Sequence, residues 1–230
     1  MVFPDKKIIF LLPPKCGTSS FCYLLKFLTK INFIENTPRR HSLLSENVDY
    51  CKIKNLQDYK IYQLCRHPLD KLISSYYYFR PKFKLHSPEA KPLPGLWQYN
   101  FNDYLKLVLP HLHLLTLNSN TFLKTIHKEL YKHHERKFGS AMLHFTPLFY
   151  QPQTNWNDLN VDIEYIKLED LVEDTFNLSL ILKEDIPHKF PNKNKNNKKP
   201  PKSYLEIYTE ETLELTYKAY KKDFEILGYN

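Results

Sequence analysis

The apolar positions of this chain follow two periods, and the places where one hands over to the other carry most of its information. Lys7 is followed by the unbroken run Ile8-Ile9-Phe10-Leu11-Leu12, the pattern of a strand buried on both faces. From Thr18 to Lys30, Phe21, Leu24, Leu25 and Leu28 recur every three or four positions, so a helix with one inner face is expected. A second strand is expected over Tyr59-Lys60-Ile61-Tyr62-Gln63-Leu64-Cys65, with a helix opening near Pro68, a residue suited to a first helical turn. Another helix is expected from an Asn102 cap through Tyr104, Leu105 and Val108 to Pro110, and one from Asn120 to His134 with Phe122, Ile126 and Leu130 inside. Near the end, Leu213, Tyr217, Tyr220 and Phe224 share one helical face that should pack on the sheet. Arg80 to Trp97 holds Pro81, Pro88, Pro92 and Pro94 and reads as a loop. Strands alternating with helices over 230 residues imply an α/β fold: a single domain with a central, mostly parallel sheet flanked by helices.

The first handover, Pro13-Pro14-Lys15-Cys16-Gly17-Thr18-Ser19-Ser20, contains one of only four glycines in the chain. At a helix N-terminus the first N–H groups lack intrahelical partners and the dipole is positive, so the main chain alone can hold an oxyanion. Lys15 adds an ammonium, and Thr18, Ser19 and Ser20 add hydroxyl donors. Lys15, Cys16, Gly17, Thr18, Ser19 and Ser20 thus form a P-loop-like candidate phosphate cradle. In the nucleotidase motif the lysine directly follows the last glycine. Here Lys15 precedes Gly17 and no glycine stands before it, which argues against an ordinary ATP or GTP site. A tight connection capped by Thr18 or Ser19, with no ligand, is the plain alternative.

At the second handover Arg66 ends the strand and Ser74 lies two turns into the helix. A guanidinium and a hydroxyl so placed suit one anion, the alternative being a helix start with an exposed arginine. Two anion sites at the carboxyl ends of two strands suit a ligand phosphorylated at two separated positions. The segment Pro13 to Ser20, taken with Arg66-His67-Pro68-Leu69-Asp70-Lys71-Leu72-Ile73-Ser74-Ser75-Tyr76-Tyr77-Tyr78-Phe79, resembles the paired cofactor motifs of sulfotransferases that use 3'-phosphoadenosine 5'-phosphosulfate (PAPS). It is most similar to those of the carbohydrate sulfotransferases. More weakly, Val161 to Leu171 is similar to the family's late strand and acidic-leucine turn, and Tyr217 to Tyr229 to its terminal helix with an F-x-x-x-G-Y ending.

The resemblance implies one sulfotransferase domain over residues 1–230. PAPS would be the co-substrate, leaving as adenosine 3',5'-bisphosphate and held by Lys15, Cys16, Gly17, Thr18, Ser19, Ser20, Arg66 and Ser74, with Lys15 on the leaving phosphate. The acceptor would be a hydroxyl, on a carbohydrate or another compound. Residues 80–97 would border it, and Arg80, Lys82 and Lys84 would suit an anionic one, although a solvated loop is the better account of them. A basic loop over 187–203 would close on the 3'-phosphate. Members of the family often place a catalytic His or Glu between the two motifs, which points to His41 as the base. Glu35 and Glu46 are rivals, and His144, in His144-Phe145-Thr146-Pro147, resembles a segment near the acceptor.

Charge alters this picture little. The net charge is +8, and six of those charges come from Lys189, Lys193, Lys195, Lys198, Lys199 and Lys202, in a tract without Asp or Glu. One local tract is not the broad basic surface of a nucleic-acid binder. It leaves two rivals, a polyanion-binding module without activity and a nucleotide-dependent kinase on a related fold. The kinase would need the other lysine order and a magnesium carboxylate. His111 with His113, and His133 with His134, lack an evident third ligand, so no metal is expected. Cys16, Cys22, Cys51 and Cys65 show no zinc spacing and read as reduced packing residues. The early apolar run ends in Pro13-Pro14, and no stretch of roughly 20 apolar residues follows. A cytoplasmic location without a membrane span is therefore expected, unlike that of anchored glycan sulfotransferases.

Overall fold

A run such as Ile8-Ile9-Phe10-Leu11 has no polar side to turn toward water, so both of its faces must be covered. A computed structural model of the protein, describing residues 1–26, 41–85, 100–112, 149–187, 189–191 and 206–229, shows the run in the interior of a sheet. The sheet order is β1 (Val2–Phe3), β2 (Ile8–Leu11), β3 (Lys60–Cys65) and β4 (Glu164–Lys167). β1 is antiparallel to β2, while β2, β3 and β4 run parallel. Leu11, the last residue of β2, lies opposite Gln63, and Cys65 opposite Lys167, so β3 and β4 finish side by side and β2 stops two residues earlier at the same edge. The architecture is the mostly parallel α/β class that the alternation of strands and helices implies.

Contacts gather into two units, Met1–His67 with Gln153–Lys198, and Pro68–Pro152 with Lys199–Asn230. The first contains the whole sheet. Ile8, Phe10, Leu12, Tyr62, Leu64 and Ile166 share one face, where Phe10 contacts Phe21 at 5.0 Å and stacks on Tyr62 at 5.4 Å between ring centroids. That face is covered by Phe21, Cys22, Leu24 and Leu25 of α1 (Thr18–Lys26). Leu171 of α5 (Leu168–Glu173) and Leu178 and Leu182 of α6 (Phe176–Leu182) complete the cover. Ile9, Leu11 and Ile61, on the opposite face, are buried as well. A short helix, α2 (Leu44–Tyr50), is closed at its start by Glu46, whose carboxylate accepts from Leu43 N at 2.9 Å. Lys6 Nζ reaches Glu184 and the Leu182 carbonyl, anchoring the end of α6.

The second unit is helical among its described residues: α3 (Pro68–Leu85), α4 (Phe101–Val108), α7 (Glu210–Ala219) and α8 (Lys221–Leu227). Its core is aromatic, with Tyr76, Phe101, Tyr104, Phe149, Tyr150, Tyr208, Tyr220 and Phe224 in one cluster. Buried phenols need partners. Tyr208 donates to the Leu69 carbonyl at 2.9 Å, and Tyr220 to that of Tyr150. Lys71 is fully buried on α3; its ammonium donates to the Gln151 carbonyl at 2.5 Å and lies 5.6 Å from the Tyr220 ring.

Three expectations change here. The α4 cap is Asn100, whose side chain accepts from Asp103 N. Asn102 instead donates to the Ile207 carbonyl and accepts from Thr209 N and Thr212 Oγ1, joining α4 to the start of α7. The first residues of the loop read over Arg80 to Trp97 are helical, because α3 continues through Pro81 to Leu85, and residues 86–97 lie outside the described residues. A proline inside a helix removes one main-chain bond, and Lys82, Lys84 and Leu85 are good helix formers that carry the ladder past it. The final helix is two helices broken at Tyr220, and Tyr220 and Phe224 pack in the aromatic cluster of their own unit. Tyr217 is correspondingly half outside, its ring tilted against that of Phe224. The helix expected over 120–134 lies outside the described residues.

Two predictions follow from this packing. Burial pushes the phenols of Tyr104, Tyr150, Tyr208 and Tyr220 upward. Above pH about 10 the unfolded chain therefore releases these protons while the fold retains them, and stability falls. Melting midpoints should drop as pH rises beyond about 10, less steeply in Tyr104→Phe; a level profile from pH about 9 to 11 would contradict the linkage. Gly17 takes φ +79°, and a Cβ there would stand 2.4 Å from Leu168 Cδ1. Gly17→Ala should cost about 1–3 kcal/mol from the dihedral and a similar amount from crowding. Leu168→Ala should recover only the second part, as thermal denaturation of the single and double variants would show.

Candidate active site

The carboxyl ends of β2, β3 and β4 open into three connections that lie side by side: Leu12–Gly17, Arg66–His67 and the start of α5 at Leu168. In the first, Pro13 and Pro14 are buried and Lys15 is half-buried. Lys15 takes φ +69° and Gly17 φ +79°, with Cys16 between them. A left-handed residue that is not glycine costs energy and is held only by what surrounds it. Such alternation turns successive N–H groups toward one side, the concave form that receives anions. Thr18 Oγ1 donates back to the Pro13 carbonyl at 3.1 Å, closing the turn, and Phe21 N donates to the Gly17 carbonyl as α1 begins. Thr18 and Ser20 are buried and Ser19 is half-buried.

Arg66 is half-buried at the end of β3, and its Nη1 donates to the Lys15 carbonyl at 3.3 Å. The two residues expected on separate phosphates therefore touch, guanidinium to main chain. Arg66 itself is held at its backbone. Its N–H donates to Gln153 Oε1 and its carbonyl accepts from Gln153 Nε2, both at 2.8 Å. The next amide, His67 N, donates to Glu169 Oε1 at 3.0 Å. Gln153 also accepts from the Cys16 thiol at 3.0 Å, and its own carbonyl accepts from Gln63 Nε2 at 2.8 Å.

His41 joins the same edge. Its Nδ1 lies 2.7 Å from the Leu12 carbonyl, and a carbonyl only accepts, so Nδ1 carries the hydrogen. In the neutral ring Nε2 is then the basic nitrogen. The ring stands edge-on to Trp156, with centroids 6.4 Å apart. Of the rival bases, Glu46 is engaged in capping α2, and Glu35 and His144 lie outside the described residues. Ser74 sits half-buried on α3, in the helical unit. Lys189 is exposed, and the other five lysines of the basic tract lie outside the described residues, as do His113, His133 and His134. Among the described residues there is no group of three His, Cys, Asp or Glu able to hold a metal, and no helix long and apolar enough to cross a membrane. None of the four cysteines is in a disulfide.

Sequence reasoning did not find Gln153. The available signal was Gln63, an amide inside the apolar strand Ile61-Tyr62-Gln63-Leu64-Cys65. A buried amide needs a partner, and that partner is the main chain of Gln153.

No curated protein and no solved structure matches the chain. The model described as the sulfotransferase family matches it over residues 1–230, the whole of its length. The chain belongs to the sulfotransferase family, and is by that membership a transferase of sulfuryl groups.

Proposed function

We propose that the protein transfers a sulfuryl group from PAPS to a hydroxyl of an acceptor, a carbohydrate in the reading we favour, within one catalytic domain over residues 1–230. The observation that carries this reading is the contact of Arg66 Nη1 with the Lys15 carbonyl. It brings a guanidinium and an amide-lined turn within reach of a single nucleotide bearing anions at two positions. The 5'-phosphosulfate belongs in the turn, against the N–H groups of Gly17 to Ser20, the hydroxyls of Thr18, Ser19 and Ser20, and the Lys15 ammonium, with Cys16 as its buried floor. The 3'-phosphate belongs to Arg66. The pairing of Ser74 with Arg66 rests on their spacing along the sequence, and a contribution from Lys189 to Lys202 rests on composition.

The acceptor oxygen attacks sulfur in line, the bond from sulfur to the 5'-phosphate oxygen breaks, and the phosphate keeps the electron pair. Lys15 stabilises the charge that develops on that oxygen. His41 Nε2 takes the acceptor's proton, its tautomer held by the bond from Nδ1 to Leu12. Adenosine 3',5'-bisphosphate is the second product.

Binding, turnover and pH dependence test this. Calorimetry with adenosine 3',5'-bisphosphate should show tight binding that weakens roughly 10- to 100-fold in Arg66→Ala, the value of charge-assisted hydrogen bonds. Lys15→Ala should lower turnover by about 10²–10³-fold without changing the melting midpoint. No binding by the parent, or a Lys15→Ala variant as fast as the parent, would refute the donor assignment. Acceptors come from screening sulfate transfer onto a glycan panel. For the base, the parent's kcat/KM should rise with pH as His41 loses its proton, and His41→Ala should lose about 10²-fold in rate together with that acidic limb. A limb retained in the variant assigns the proton to another residue.

A further inference from the structure

Gln153 makes no contact that chemistry on a sulfate requires, yet it occupies the point where the candidate site is joined together. It is fully buried, in a short 3-10 turn over Gln153–Trp156. The residue just past the end of a strand ordinarily has main-chain groups without a ladder partner. At Arg66 both are taken by one side chain, the N–H by Oε1 and the carbonyl by Nε2, each at 2.8 Å. The same Oε1 accepts from the Cys16 thiol at 3.0 Å, one residue from Lys15. The Gln153 carbonyl is fixed in turn by Gln63 Nε2 from within β3. One amide thus spans the first residue after β3 and the turn after β2, and the guanidinium of Arg66 crosses the same interval in the other direction to reach the Lys15 carbonyl.

We infer that Gln153 is a positioning residue, which acts through Arg66 by setting the direction in which its guanidinium leaves the strand. The amide chemistry is specific to that task. A carboxylate at this position would accept from Arg66 N but could not donate to Arg66 O, and an aliphatic side chain would do neither. Glu169 secures the next amide, His67 N, so the backbone on both sides of the Arg66 carbonyl is held by side chains from other segments. Main chain held at three consecutive groups leaves the guanidinium few directions to take, which is the preorganisation that precise anion contact needs.

This inference rests on the donor reading above for its functional meaning, and its test separates the two. Gln153→Met keeps the volume and removes the amide; Gln153→Ala is the second variant. In the first arm, adenosine 3',5'-bisphosphate affinity is measured for the parent, the Gln153 variant, Arg66→Ala and the double variant. The expected result is a roughly tenfold loss from the Gln153 change alone, the scale of one or two hydrogen bonds, and less than twofold when Arg66 is already alanine. Equal losses in both backgrounds would overturn the proposal, since a general loosening of the fold would not depend on Arg66.

The second arm needs no nucleotide. Amide hydrogen exchange at Arg66 should accelerate at least roughly tenfold in the Gln153 variant, as expected when one bond is removed, while Phe10 in β2 stays as protected as before. Unchanged exchange at Arg66 would overturn the proposal. If the parent fails to bind the bisphosphate, the donor reading falls and this arm alone judges Gln153. If neither variant folds, Gln153 is a determinant of folding and the proposal is wrong.

Discussion

Three parallel strands that run out at the same edge of the sheet are the constraint on which the rest of the site depends. Leu11 faces Gln63 and Cys65 faces Lys167, so the chain leaves β2, β3 and β4 at the same edge of the sheet and must turn three times within a small space. Parallel strands run their exposed ends to one side, and ligands of α/β proteins collect there for that reason. Here the three turns also support one another. Arg66 reaches the main chain of the first, Glu169 holds the second from the third, and Leu168 fills the space above Gly17. A shift of any strand by one residue would turn its buried side chains to the other face and pull these contacts apart.

The strain in the first turn has a place in that arrangement. Lys15 holds a left-handed backbone that its side chain disfavours. Burial of Pro13, Pro14 and Cys16, the Thr18 hydroxyl on Pro13 and the Arg66 guanidinium on Lys15 together outweigh that preference. The strained turn stands directly before a helix start, where main-chain N–H groups lack intrahelical partners and water or an anion can meet them.

Much of the sheet unit could be read from the residues because its signals are local. An unbroken apolar run, a lysine and a glycine at its end, and a helical period behind them placed β2, the turn and α1; the same logic placed β3 and the helix after it. The helical unit was harder. Its helices start and stop on choices that depend on tertiary partners: Asn100 and Asn102 are both capping residues by type, and only the bonds of Asn102 to Ile207, Thr209 and Thr212 decide between them. Tyr220 breaks the last helix while keeping the period that made it look continuous. The role of Gln153 was illegible for another reason, because its partners Cys16, Gln63 and Arg66 are distant along the chain and no spacing rule connects them.

The contact between position 17 and Leu168 has an evolutionary consequence. A smaller residue in place of Leu168 would leave a gap above the turn, a tolerable loss. The reverse exchange is costlier, since even with that gap a side chain at 17 would meet a dihedral of +79°. Drift at this pair therefore has a direction: trimming the leucine relieves only the crowding, whereas any replacement of the glycine carries the strain of the backbone as well.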